Sequence, residues 1–149
     1  MGHVGDVGLL WGAHFRKDYG REEEVMDWGL YPNFKAEEFD CSHCGKNEMK
    51  PEFMAKLQVL RMRYGKPMRI TSGYRCPKHS IEAKKPKPGA HASGCACDIG
   101  VDGQQAYELM KHAFALGFKG IGVSQKSGGP RFIHLDTLEE SPRPNVWSY

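Results

Sequence analysis

PGAHASGCACDIGV, residues 88–101, sets His91 and Asp98 seven positions apart with only Ala92, Ser93, Gly94, Cys95, Ala96 and Cys97 between them. Imidazole and carboxylate are both metal ligands. A catalytic zinc needs three N, S or O donors and a fourth position left open. Small side chains let the backbone fold back tightly, and Gly94 can take a positive φ at little cost. Two donors this close can therefore reach one ion. The second half of the stretch, CACDIGV (95–101), reads as a strand.

A third donor lies further along, in RFIHLDT (131–137). His134 and Asp136 are two apart in an expected strand and share a face with Phe132, while Ile133 and Leu135 point to the core. KGIGVS (119–124) reads as its partner strand, joined through the turn QKSGGP. Upstream, KPEFMAKLQVLRMRYGKP (50–67) repeats Phe53, Leu57, Leu60 and Tyr64 at helical spacing, with Pro51 in the first turn and Gly65 and Pro67 as stops. MRITSGYR (68–75) follows as a strand, and residues 77–90 form a Pro-rich loop. DGQQAYELMKHAFALGF (102–118) is a second helix with Ala106, Leu109, Met110, Ala113 and Leu116 on one stripe, ended by Gly117. Helices and strands mix without regular alternation. The expected class is α+β, a small antiparallel sheet flanked by helices. Residues 1–32 read as an N-terminal extension packed on a domain of residues 33–149, with helix-like acidity in GREEEVMDWG and a short helix expected in the run before it.

The chain has 149 residues, enough for one core, and a formal net charge of +3. That charge is too mild for a nucleic-acid partner. No apolar run is long enough to span a membrane, and MGHVGDVGLLWGAHFRKDYG lacks the basic start of a signal peptide. A cytoplasmic monomer, released to act elsewhere, is expected.

Four motifs in order, ITSGYRC (70–76), HASGCACDI (91–99), GFKGIGV (117–123) and FIHLDT (132–137), resemble the zinc D-alanyl-D-alanine carboxypeptidase and L,D-endopeptidase family, whose fold is shared with the hedgehog signalling domain. The resemblance covers about residues 34–149. It implies one catalytic zinc on His91, Asp98 and His134. It also implies that Arg75 grips a substrate carboxylate or carbonyl. The implied substrate is the stem peptide of bacterial peptidoglycan, and a phage or prophage lysin is one context. Two positions depart from the family pattern. Gly89 stands where a serine is usual, and Arg131, Phe132 and Ile133 precede the last histidine where many relatives carry a catalytic base. Asp136 is then either that base or the group that holds His134 in its tautomer. The departures also leave open a catalytically weak module that binds the cell wall or serves in a virion.

Five cysteines do not make a clean disulfide framework. Cys41-x-x-Cys44 with Cys76-x-x-His79 has the spacing of a second, structural zinc site, with a disulfide or free thiols as alternatives. Cys95 and Cys97 read as small packing residues.

Overall fold

The computed structural model describes residues 13–18 and 21–149. Among them, β1 (Ala13–Asp18) and β2 (Arg21–Met26) form an antiparallel hairpin. The acidic run with helix-like character is therefore a strand, and so are the described residues of the run before it, where a short helix was expected. Its register sets Lys17 opposite Glu22, Arg16 opposite Glu23 and Asp18 opposite Arg21. Residues 1–12 and 19–20 of the expected extension lie outside the described residues. Trp28 packs on the core and Tyr31 is fully buried in it.

The main sheet has five strands: β3 (Arg69–Ser72), β4 (Ala96–Gly100), β5 (Gly120–Ser124), β6 (Phe132–Asp136) and β7 (Asn145–Ser148), in the order β3-β4-β6-β5-β7. All neighbours are antiparallel except β5 and β7. The parallel edge strand comes from the tail, which the sequence pattern did not mark as a strand: SPRPNVWSY shows no alternation and two prolines. Helix α1 (Pro51–Tyr64) ends on Gly65 at φ +75°, and α2 (Gly103–Ala115) is followed by Gly117 at φ +78°. Both stops are where the sequence put them.

The two faces of the sheet differ. Register rows place Ile99 beside Ile133 and Val123, and Cys97 beside Leu135 and Ile121. These residues join Phe53, Met54, Leu57 and Leu60 of α1 and Leu109 and Ala113 of α2 in one core. Burial of each large side chain there contributes roughly 1.5–3 kcal/mol. On the other face the rows read Asp98–His134–Gly122–Trp147 and Ala96–Asp136–Gly120–Asn145. The polar residues sit on the face turned away from the core.

Candidate metal centre

Asp98 and His134 are direct partners across β4 and β6. His91 arrives from a single helical turn, Ala90–Ser93, that precedes β4 and ends on Gly94 at φ +79°. One donor atom from each of the three lies within 4.8 Å of the others. Asp98 Oδ1 is 3.3 Å from His91 Nε2 and 3.0 Å from His134 Nδ1. All three side chains are nearly buried.

The other nitrogen of each histidine is held. His91 Nδ1 donates to the Gly73 carbonyl at 2.7 Å, which leaves Nε2 as the free donor. Gly73 can approach because it has no side chain: a Cβ there would collide with the backbone of Phe39. His134 Nε2 donates to Asp136 Oδ2 at 2.7 Å, which leaves Nδ1 facing Asp98. Fixing one ring nitrogen sets the tautomer and orients the ligating one. Asp136 has room for this because its neighbours in the row are Ala96 and Gly120, and a Cβ on Gly120 would collide with its carboxylate.

The electrostatics follow from these bonds. Burial alone would raise the Asp98 carboxyl. The rings of His134 and His91 beside it outweigh burial and hold Asp98 well below the usual range. Asp136 shows the same contest, with His134 and Arg143 bringing it down to about 2. For His134, burial disfavours the charged ring, but the bonds to Asp136 and Asp98 leave its pKa raised.

The three donors line a cleft of about 460 Å³, with Arg75, Lys85 and Arg143 among its walls and Trp147 and Tyr149 on the tail side. Arg75 Nη2 is 3.6 Å from Asp98 Oδ2, and its Nη1 is 3.6 Å from Glu82 Oε2. Arg75 lines the cleft. A larger depression of about 510 Å³, lined by Glu52, Lys56, Cys95, Lys119, Thr137 and Glu139, lies apart from the triad. It holds neither of the two donor clusters found among the described residues.

Three residues of the site escaped the sequence reading. Glu82 is buried and joins Lys85 Nζ (2.9 Å), the Gly89 N–H (2.8 Å) and Arg75. It was visible as the sole acid among the lysines of the 77–90 loop. Gly89, where the family's serine is absent, thus serves through its backbone. Lys85 came with the same loop. Arg143 binds Asp136 and lies over the Trp147 ring at 4.8 Å. Trp147 in turn reaches the His134 ring, 5.1 Å between centroids, across the bare backbone of Gly122.

Residues 32–136 match the sequence model of the family described as Peptidase M15, and the chain belongs to that family of zinc-dependent peptidases. A comparison with curated proteins finds no match. Among the described residues, no helix is long and apolar enough to cross a membrane.

The donor set fits zinc. Two imidazoles, each with its far ring nitrogen held by a partner, and one carboxylate are the ligand types of a catalytic site. The cleft leaves a side of the cluster open to a substrate.

Proposed function

We propose that the chain is a zinc peptidase that hydrolyses amide bonds in peptidoglycan stem peptides, with His91, Asp98 and His134 as the metal ligands. The observation that carries this reading is the convergence of their three donor atoms, within 4.8 Å of one another, on the wall of a cleft. When bound, zinc supplies Lewis-acid polarisation of the scissile carbonyl and acidifies a water at near-neutral pH. Arg75 binds a carboxylate or carbonyl of the peptide and aligns it. Asp136 keeps the Nε2 proton of His134 in place and so presents Nδ1 as a lone-pair donor. Trp147 and Tyr149 cover the tail side of the cleft and limit water there.

Charge supports an anionic peptide. Arg75, Lys85 and Arg143 balance Glu82, Asp98 and Asp136 around the cleft. A divalent cation would leave the region net positive, which favours the carboxylate-bearing stem peptide.

One observation favours the second reading, a catalytically weak wall-binding module. Among the described residues lining the cleft, the sole carboxylate is Asp98, itself assigned as a ligand. Purified cell walls incubated with the zinc-loaded chain separate the two. Mass spectrometry of the muropeptides should show loss of a terminal alanine for a carboxypeptidase, or a cut inside the stem for an endopeptidase, abolished by a chelator. A chain that holds stoichiometric zinc, binds walls and releases no product would overturn the peptidase.

A further inference from the structure

A second set of metal donors gathers outside the cleft. Cys41 and Cys44 belong to the turn that follows the helical turn Ala36–Phe39, and Cys76 follows Arg75 on the way out of β3. Their three Sγ atoms lie within 4.8 Å of one another. We propose that Cys41, Cys44 and Cys76 form a structural zinc site that fastens the 41–46 turn to the segment carrying Arg75.

The backbone is arranged for thiolates. In CSHCGK (41–46), the Cys41 N–H donates to the Lys46 carbonyl and the Gly45 N–H donates to the Cys41 carbonyl, each at 2.8 Å. Gly45 sits at φ +73°, a conformation it takes without a side-chain penalty, and closes the turn so that the two cysteines converge. The Cys41 sulfur receives two backbone N–H groups, from His43 and from Cys76, each at 3.3 Å. Donors aimed at a sulfur stabilise its anionic, metal-binding form. Three thiolates together repel one another unless a cation sits between them. Soft sulfur donors with tetrahedral reach select zinc.

His79, expected as the fourth ligand, is committed elsewhere. Its Nδ1 accepts the Ile81 N–H at 3.1 Å, so its Nε2 carries the proton and faces Ser42 Oγ at 3.0 Å. A fourth donor is at hand in His43, whose Nδ1 is 3.3 Å from Cys76 Sγ. The position of the site gives it a consequence for the cleft. Arg75 precedes Cys76, and its N–H donates to the His91 carbonyl at 3.2 Å. A metal on Cys76 would anchor that wall. The metal site itself stands independently of the peptidase reading; its effect on Arg75 rests on that reading.

Cobalt(II) substitution of the full chain, purified under reducing conditions, tests this. Two equivalents of cobalt should bind, with a thiolate-to-cobalt charge-transfer band in the near ultraviolet. The cleft set contains no sulfur, so the band reports on the cysteines alone. Cys44→Ser, at an exposed thiol, should lose the band and one equivalent. His91→Ala should keep the band and lose the other equivalent. A folded, cobalt-loaded chain without the band, or a Cys44→Ser variant that retains it in full, would overturn the site. If Cys44→Ser fails to fold, thiol alkylation of the unaltered chain decides. Zinc should protect Cys41, Cys44 and Cys76, and a chelator should expose them. Equal labelling with and without zinc, or a disulfide among the three, would overturn it.

Discussion

Arg143 grips Asp136 with two hydrogen bonds, Nε to Oδ1 at 3.0 Å and Nη2 to Oδ2 at 2.8 Å. Oδ1 also accepts the Leu138 N–H at 3.3 Å, and Oδ2 accepts from His134 Nε2. Asp136 is wholly buried behind the histidine. A carboxylate with both oxygens so engaged is placed to orient His134 rather than to collect a proton from the cleft.

Asp136→Asn should therefore weaken zinc binding by about 10–100-fold, and excess zinc should restore part of the turnover. Competition with a chromophoric chelator gives the affinity. Full zinc affinity with turnover abolished at saturating metal would instead make Asp136 the base.

Arg75→Ala should lower kcat/KM by at least about tenfold and leave zinc content unchanged. A charge-assisted contact to a substrate carboxylate contributes roughly 1.5–3 kcal/mol. Steady-state kinetics beside metal analysis reads both quantities. Kinetics identical to the unaltered chain would remove Arg75 from substrate binding.

The parts legible in the sequence were those with local periodicity or strict spacing. The stripe from Phe53 to Tyr64 and the stops at Gly65 and Gly117 depend on nearby residues alone. So does the shared face of His134 and Asp136. Asp98 and His134 were visible as polar residues among apolar ones in β4 and β6, and His91 as a second metal donor seven positions before Asp98. Arg143, Glu82 and the strand at Asn145–Ser148 were not. Arg143 meets Asp136 only after the tail folds back beside β5, and Glu82 becomes a buried acid only when the 77–90 loop closes over it. The β1–β2 pair reads as helical in sequence because acidic residues suit a helix start, whereas what decides it is the pairing between the two strands.

Glu82 supplies a test by pH. Burial would raise its pKa, but bonds from Lys85 and the Gly89 N–H, with the charges of Lys85 and Arg75, hold it below its ordinary value. A carboxylate whose folded pKa is depressed stabilises the fold fully above its unfolded pKa, about 4.3. That stability is lost as pH falls through the lower, folded value. Glu82→Gln should thus cost roughly 1–3 kcal/mol at pH 7. The gap to the unaltered chain should narrow below about pH 4. Denaturant melts across that window measure it; a gap independent of pH would show that the charge of Glu82 contributes nothing.

Gly94 returns to the small residues between His91 and Asp98. It sits at φ +79°, and a Cβ there would collide with the Glu48 carbonyl and approach the Lys50 nitrogen at 3.3 Å. Those are backbone atoms, tied in place by the Lys50 N–H bond to the Gly94 carbonyl at 2.9 Å, so they cannot swing aside as a flexible side chain would. Gly128 is the control: its φ is +83°, yet nothing lies within 4 Å of a Cβ built there. Alanine at Gly128 should cost about 1–2 kcal/mol, the left-handed conformation alone. Alanine at Gly94 should cost that plus the collision, well above 2 kcal/mol in total on the order of other buried overpacking. It should also weaken zinc binding, because the displaced turn carries His91. Thermal melts of the two variants with metal titrations decide it. Equal destabilisation at both positions, with zinc affinity intact at Gly94→Ala, would mean that the close approach to Glu48 does not shape the site.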